Sequence, residues 1–388
     1  MTRTRIAFAF PLLVLVGCGS TGLPSVCNLT PEELPRRTIE PGHSTRNIVL
    51  VTIDGARWQE IFQGVDPRLA KRRQVSECEG ISGRALLPNI YRDVVDTGVA
   101  LGAPGRGESM RASGPNFVSQ PGYLEIFSGR PSAVCRRNGC SLTAESTVLD
   151  DLQRQQGLSA KDLAVISSWE NFEQVASNHP RSITISAGRH HGTNRDLLRV
   201  TPRASALLDA GAQSEAAPGL FDYRPDRFTG ELALEYLSAQ KPRFLAVGFG
   251  DTDEYAHFNN YRGYLASLRR VDRFIGALFR TLDALGEYGQ ETTVILTADH
   301  GRASNFTGHG GSSPESSRVW LLAAGGAIAE KGIVTASRGY RLADIAPTVR
   351  SLLQLSPDTS ARAGSPIADL LSTDLGDARL AELKRALR

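Results

Sequence analysis

Apolar positions along this chain form short continuous runs that alternate with amphipathic stretches. The first run, NIVLVTID at residues 47–54, has the pattern of a strand buried on both faces of a parallel sheet. Similar runs predict further strands at residues 162–168, 181–187, 243–251, 292–299 and 319–326. The stretches between them predict helices at residues 85–97, 145–156, 230–239, 262–286 and 342–354. This alternation predicts an α/β fold with a mostly parallel sheet sandwiched by helices.

The predicted strands and helices belong to one domain, residues 46–388. Within it, residues 188–228 carry few periodic apolar positions and many polar ones. We interpret this segment either as a small cap over a site or as a long surface excursion.

The N-terminus predicts export and lipid attachment. Two arginines precede an apolar run from Ile6 to Gly17 that is too short to cross a bilayer and is typical of a secretory signal. Leu15 to Cys18 resembles a bacterial lipobox, so residues 1–17 are expected to be a lipoprotein signal peptide and Cys18 the lipidated residue. Residues 18–45, rich in Pro, Ser, Thr and charge, are expected to be a tether.

This N-terminus predicts a lipid-anchored protein of the bacterial cell envelope, in the outer membrane and facing the periplasm. The alternative is an ordinary signal peptide followed by a cysteine. Removing residues 1–17 takes away Arg3 and Arg5 and no acid, so the formal net charge falls from +3 to +1. Such a balance gives no indication of a nucleic-acid partner.

Four cysteines remain after Cys18, an even number that predicts disulfides in an oxidising compartment. Cys135 and Cys140 enclose only four residues and are expected to close a small loop. By elimination, Cys27 is expected to pair with Cys78 and to tie the tether to the domain.

Polar side chains follow two of the predicted strands at the point where each strand ends. Asp54 ends the first strand, and Asp299 and His300 end the strand at 292–299, with His309 nine residues after His300. Because open α/β sheets bind ligands at the carboxyl ends of their strands, we expect these groups to lie together. Carboxylate oxygen and imidazole nitrogen are donors that suit a zinc-like ion.

Three further residues extend this pattern. Asp253 and His257 are four positions apart after the strand at 243–251, which would place them on one face of a first helical turn. Ser119 precedes Pro121, and Gly129 follows a short predicted helix, so Ser119 is expected at the N-terminal edge of that helix.

In chain order, TID, VSQP, D-x-x-x-H, TADHG and a later GHG resemble the alkaline phosphatase superfamily, which includes nucleotide pyrophosphatase/phosphodiesterases, arylsulfatases and phosphoglycerate mutases. The resemblance extends from Asn47 to DIAPT at residues 344–348. It implies a phosphoester hydrolase (phosphodiesterase or phosphatase) with a small-molecule substrate and a catalytic domain at residues 46–388.

The resemblance also implies two divalent ions, with zinc favoured and manganese possible. One ion would be held by Asp54, Asp299 and His300 and would bind the oxygen of Ser119. The ligands implied for the second ion are Asp253, His257 and His309. Ser119 would then be the nucleophile that forms a phosphoserine intermediate.

Three alternatives remain open. A sulfatase is the nearest, but sulfatases carry Cys/Ser-x-Pro-x-Arg at the nucleophile, whereas this chain has Ser119-Gln120-Pro121-Gly122-Tyr123. A phosphomutase would need a large second domain after the nucleophile, and this chain has room only for a small cap. A non-catalytic metal-binding lipoprotein is disfavoured because the ligand set and Ser119 are intact.

Substrate contacts are the least defined part of the prediction. Arg57 and Asn116 each lie three residues from an expected site residue and are proposed to contact substrate. The alcohol part of the ester is not encoded in any pattern that we recognise.

Overall fold

The structure, a computed structural model, describes residues 44–371 and has an eight-stranded sheet at its centre. The strands are β1 (Asn47–Ile53), β2 (Gly98–Leu101), β3 (Leu163–Ser167), β4 (Thr184–Ala187), β5 (Phe244–Phe249), β6 (Thr292–Thr297), β7 (Leu321–Ala324) and β8 (Gly332–Ile333). Their order is β4-β3-β5-β1-β6-β7-β2-β8. Only β7 runs antiparallel to its neighbours, so the predicted mostly parallel sheet is confirmed.

Helices cover the sheet. Their bounds are α1 (Trp58–Phe62), α2 (Pro67–Arg72), α3 (Gly83–Leu86), α4 (Pro88–Ile90), α5 (Ser119–Ser128), α6 (Val148–Gln156), α7 (Phe172–Val175), α8 (Pro202–Gln213), α9 (Asp226–Gln240), α10 (Asp251–His257), α11 (Tyr261–Ala284), α12 (Glu287–Gln290) and α13 (Ile345–Leu352). In the described part of the chain, none of these helices combines the length and apolar character that a bilayer span requires.

The centre of the sheet determines where polar groups can meet. Every residue of β1 is buried, and its two parallel neighbours are β5 and β6. Their carboxyl ends therefore lie side by side at one edge of the sheet. Five of the seven residues of β1 are apolar, and burial of both faces stabilises such a strand, while the charged Asp54 follows directly after its end.

Two local predictions differ from the structure. The helix expected at 85–97 is broken into α3, α4 and a π-helical turn, Tyr91–Val95, because Pro88 cannot donate the backbone hydrogen bond that a continuous helix needs. The strands β2 and β8 were not predicted, since four and two residues are too few for a periodic signal.

The disulfide between Cys135 and Cys140 is confirmed, with the two Cα atoms 5.7 Å apart. The lipobox with Cys18, the tether up to residue 43 and Cys27 lie outside the described residues. The signal peptide, the lipid anchor and the pairing of Cys27 with Cys78 therefore stay predictions.

Residues 188–228 contain one helix of two turns or more, α8, which packs against α9. Near its end the segment carries Tyr223, which is buried at the carboxyl edge of the sheet beside Gly250. The segment thus reaches the site described below, and its role as a cap stays a prediction.

Candidate metal centre and nucleophile

Three carboxylates meet at the carboxyl edge of the sheet because three adjacent strands end there. Asp54 follows β1, Asp299 follows β6, and Asp253 lies in the first turn of α10 directly after β5. All three are buried. A sheet edge that collects buried carboxylates needs positive charge or hydrogen bonds to stabilise them.

The hydroxyl of Ser119 lies beside these carboxylates. Ser119 is the first residue of α5, after the extended Val118, and the helix ends at Gly129, whose φ of 78° is the left-handed cap expected for glycine. The Oγ atom of Ser119 is 3.4 Å from Nε2 of His300. The helix therefore starts two residues earlier than Pro121, and it presents Ser119 from its N-terminal turn.

One group of donors, which we call the inner cluster, consists of Asp54, Asp299 and His300. Asp54 Oδ1 and Asp299 Oδ2 each lie 3.4 Å from His300 Nε2, and neither oxygen has a hydrogen-bond partner although both are buried. The other ring nitrogen, Nδ1, donates to the carbonyl of Gly301 at 2.9 Å, so Nε2 presents its lone pair to the carboxylates. Three acceptors therefore converge on one point.

The pKa values of the inner cluster follow from this crowding. Burial raises the pKa of Asp54 well above its usual range, and the charge of Asp299 adds to the effect. Burial, together with the charge of Asp253, also raises the pKa of Asp299, while burial lowers the pKa of His300 well below its usual range. The protein itself thus disfavours the charged forms of all three side chains. A bound cation would reverse this for the two carboxylates and favour their charged forms.

The second group of donors, the outer cluster, consists of Asp253, His257 and His309. His257 Nε2 is 2.8 Å from Asp253 Oδ2 and 3.1 Å from His309 Nε2. His309 donates from Nδ1 to the carbonyl of Phe117 at 2.9 Å, which turns its Nε2 towards the cluster. His257 is half-exposed, so this cluster opens towards solvent.

Arg302 distinguishes the outer cluster from the inner one. It follows directly after the His300-Gly301 pair, is buried, and donates from Nη1 to Asp253 Oδ1. Burial alone would raise the pKa of Asp253, but the charges of Arg302 and His309 outweigh it and hold the pKa well below its usual range. The hydrogen bond to Asp253 raises the pKa of His257.

The donors fit divalent metal ions, although their grouping differs from the expected division. The donor atoms of Asp54, Asp299 and His300 converge, and so do those of Asp253, His300 and His309. His300 and His309 stack with ring centroids 3.9 Å apart, so His300 lies between the two groups. The structure brings all seven predicted residues together, and their roles as ligands and nucleophile stay predictions.

Sequence reasoning did not find two residues that hold this arrangement. Tyr123, four positions after Ser119 on α5, donates from its hydroxyl to Asp54 Oδ2 at 2.9 Å. Asn138, inside the disulfide loop, accepts from the backbone N–H of Gln120 at 2.9 Å. The sequence contained a usable signal for Tyr123, since a position four residues after Ser119 faces the same side of a helix.

A cavity of about 110 Å³ opens beside the two clusters. The residues that line it are Asp54, Ser119, Asn138, Trp169, Tyr223, Gly250, Asp253, Glu254, His257 and His309. None of these ten side chains is Lys or Arg. The cavity is therefore a site whose wall, apart from the predicted ligands, is aromatic and acidic.

The two residues predicted to contact substrate do not line this cavity. Arg57 is buried in ion pairs with Glu60 and Asp66, the latter at 3.2 Å, and its guanidinium stabilises the buried Glu60 carboxylate. Asn116 donates to the carbonyl of Arg136 at 2.6 Å, outside the cavity. The guanidinium of Arg57 is already engaged in ion pairs and Asn116 lies outside the lining of the cavity, so the substrate roles of both residues stay predictions.

Comparison with known proteins indicates the class of protein to which this chain is similar. The family model described as Metalloenzyme superfamily matches residues 223–357. A 2,3-bisphosphoglycerate-independent phosphoglycerate mutase of Pseudomonas entomophila (strain L48) is 26% identical over 156 residues, which are 38% of this chain and 29% of the mutase. The chain thus matches less than a third of that relative's length. The family match includes Asp253, His257, Asp299, His300 and His309.

Solved structures share the fold over most of the chain. Alkaline phosphatase PafA has a TM-score of 0.56 at 14% identity, over 86% of this chain and 100% of that structure. The phosphonate monoester hydrolase of Agrobacterium radiobacter has a TM-score of 0.53 at 16% identity, over 84% of this chain and 77% of that structure. A 2-O GAG sulfatase has the same fold. At these identities the likeness establishes the fold and leaves the reaction open.

The family match, the shared fold and the mutase relative together support an alkaline phosphatase-like superfamily of metalloenzymes for this chain. This is the superfamily that the sequence motifs resemble. Hydrolases and mutases belong to it, and the two converging donor groups are consistent with divalent metal.

Proposed function

We propose that the protein is a metal-dependent phosphoester hydrolase that prefers diesters and acts through a phosphoserine at Ser119. The observation that carries the proposal is the position of Ser119 Oγ, 3.4 Å from His300 Nε2, at the start of a helix and in the lining of the cavity beside the two clusters. No cysteine lines this cavity, which supports Ser119 as the proposed nucleophile.

In the proposed reaction, Ser119 Oγ attacks phosphorus and forms a serine–phosphorus ester bond as the bond to the first alcohol breaks, and the departing alcohol takes the proton that Ser119 loses. Water then attacks the same phosphorus, the bond to Ser119 breaks, Ser119 Oγ takes one proton of the water, and the product is the phosphate monoester of the second alcohol. Asp54, Asp299 and His300 would hold one divalent ion, and Asp253, His257 and His309 would hold another. Such ions, of which zinc is favoured and manganese is possible, would supply charge that stabilises the transition state.

Residues of the chain itself orient these groups. The hydrogen bond from Tyr123 fixes the Asp54 carboxylate, and the bond from His300 Nδ1 to Gly301 fixes that imidazole. The first turn of α5 adds the positive end of the helix dipole beside Ser119. The backbone N–H of Gln120 donates to Asn138, so the side chain of Asn138, rather than that N–H, is the group available to a substrate oxygen.

The charge of the cavity supports diesters over monoesters. A diester carries one negative charge and a monoester about two, and beyond the proposed metal ions no Lys or Arg among the lining residues would balance the second charge. Glu254 would also repel it. A sulfate ester carries one charge as well, and the fold is shared with a sulfatase, so sulfate hydrolysis is the second candidate.

The test is a substrate profile with the full-length protein reconstituted with zinc or with manganese. We expect kcat/KM for bis(4-nitrophenyl) phosphate to exceed that for 4-nitrophenyl phosphate and 4-nitrophenyl sulfate by at least about tenfold, in line with one uncompensated charge. A higher rate with the sulfate would favour the sulfatase alternative. Absence of turnover with every ester and either metal would refute the proposal.

We further propose that the mature protein is anchored through a lipid on Cys18 and works in the periplasm, outside the reach of cytoplasmic substrates. The lipobox motif supports this. Cys18→Ala should shift the protein from the membrane fraction to the soluble fraction. Unchanged membrane association of this variant would contradict the anchor.

A further inference from the structure

Three residues that line the cavity and are not predicted ligands, Trp169, Tyr223 and Glu254, form one part of its wall. We propose that this wall binds a positively charged alcohol group of the substrate, a quaternary ammonium or a protonated amine. The inference rests on the proposed phosphoester hydrolysis and assigns the class of its substrate. Both kinds of group are compact cations carried on a short alkyl chain.

Trp169 supplies the first aromatic surface. It lies in the loop after β3 and is partly exposed, so its ring is accessible from the cavity. The ring lies against Tyr123, with centroids 6.2 Å apart, and Tyr123 donates to Asp54. This chain of contacts holds the indole close to the reacting centre.

Tyr223 is a buried aromatic residue of this wall, with only 1% of its surface exposed. Its hydroxyl donates to Asp251 Oδ1 at 2.8 Å, and its ring packs so closely against Gly250 that a Cβ there would lie 2.8 Å from the Tyr223 oxygen. Tyr223 therefore gives the wall a fixed shape, and the accessible ring is that of Trp169. An accessible aromatic face attracts cations by roughly 0.5–2 kcal/mol, according to its desolvation.

Glu254 is the acidic residue of this wall. It lies on α10 next to the outer cluster, and its carboxylate makes no hydrogen bond or ion pair with another residue in the range 44–371. It also belongs to neither group of converging metal donors. Glu170, close enough to repel it, has a buried Oε2 without a hydrogen-bond partner.

These observations together point to an organic cation. A partly exposed indole ring and an unpaired carboxylate, in a cavity lined by no Lys or Arg, are surroundings in which quaternary ammonium groups bind. A neutral alkyl group of the same shape would fill the space but would leave Glu254 without a counter-charge. A preference between two such groups is therefore measurable.

The experiment uses a matched pair of diesters, choline 4-nitrophenyl phosphate and its carbon isostere 3,3-dimethylbutyl 4-nitrophenyl phosphate. The two differ in charge but hardly in shape. We expect the metal-loaded, full-length protein to show a kcat/KM about tenfold higher for the choline ester, with both alcohols quantified as products. Equal kcat/KM values for the two esters would overturn the inference.

Two variants separate this wall from general electrostatics. Glu254→Gln should reduce the choline preference to within about threefold, since the carboxylate contribution is lost. Glu173→Gln removes one negative charge outside the cavity, where Glu173 lies 3.3 Å from His191, and should keep the preference. If both variants lose the preference equally, the wall is not the cause and the inference is wrong.

A binding measurement decides the inference even if no ester is hydrolysed. Calorimetry with metal-loaded Ser119→Ala should show phosphocholine binding about tenfold more tightly than 3,3-dimethylbutyl phosphate. Equal affinities would again overturn the inference. Lack of hydrolysis with a preserved binding preference would refute the proposed reaction and leave the cation site standing.

Discussion

The inner and outer clusters contain similar donors but balance their charge differently. In the inner cluster, Asp54 and Asp299 form no ion pair with any Lys or Arg of residues 44–371, and burial raises both pKa values. In the outer cluster, Arg302 pairs with Asp253 and lowers its pKa. We therefore expect a bound cation to stabilise the charged carboxylates of the inner cluster, whereas the outer cluster already contains the cationic side chain of Arg302.

The largest expected effect concerns the nucleophile, which borders the inner cluster. Ser119→Ala should lower kcat for an activated diester by about a thousandfold or more, the usual scale for loss of a nucleophile. Metal content, measured by elemental analysis in the same samples, should stay near that of the parent because all the Asp and His ligands remain.

Ser109→Ala is a suitable control, since Ser109 lies outside the cavity. Near-normal turnover by Ser119→Ala, or a phosphoryl group trapped on another serine, would show that the reaction does not use Ser119.

The next largest effect is expected from a variant that breaks the ion pair of the outer cluster. Asp253→Asn leaves the buried Arg302 without its counter-charge, so the chelator-treated protein should lose about 3 kcal/mol of unfolding free energy, measured by urea denaturation. The double variant Asp253→Asn/Arg302→Met should recover part of this loss. If the single and double variants are equally unstable, the ion pair does not support the outer cluster.

An Asp→Asn change in the inner cluster should raise the unfolding free energy instead of lowering it. Asp54→Asn removes a buried carboxylate that has no protein counter-charge and keeps an oxygen for Tyr123, so the chelator-treated variant should gain about 2 kcal/mol at pH 7.5. The metal-loaded variant should instead lose metal affinity.

The gain from Asp54→Asn should depend on pH in a defined direction. The pKa of Asp54 is raised above 3.8 in the folded state, so the parent holds there a proton that the unfolded chain releases. The stability that Asp54 contributes to the parent is therefore fully present below pH 3.8 and is lost as the pH rises towards its folded-state pKa. The gain should be near zero at pH 4 and largest near neutrality. A gain that does not change between pH 4 and pH 7.5 would contradict this account.

The smallest effect concerns the disulfide loop, whose Asn138 lines the cavity. Replacing Cys135 and Cys140 by serine together frees the loop that carries Asn138, and KM for the diester should rise about threefold with little change in kcat. Thermal unfolding of the same variant separates this effect from general instability. An unchanged KM would mean that Asn138 is held without the disulfide.

The sequence predicted the main strands and the positions where the seven site residues meet, because long apolar runs and the ends of parallel strands have a readable pattern. It did not predict β2 and β8, which are too short for periodicity. It also missed the roles of Arg57 and Arg302. Both are arginines close to a site aspartate along the chain, and only the fold decides that Arg57 pairs with Glu60 while Arg302 reaches Asp253.

The hydroxyls of Ser119 and Tyr123 lie one turn apart on α5, and one is the predicted nucleophile while the other holds a predicted metal ligand. The two groups are thus parts of one rigid body. A displacement of α5 along its axis would change the distance from Ser119 to phosphorus and the orientation of Asp54 by the same motion. We therefore expect the proposed catalytic geometry to tolerate changes in the surrounding loops as long as α5 keeps its position relative to Asp54.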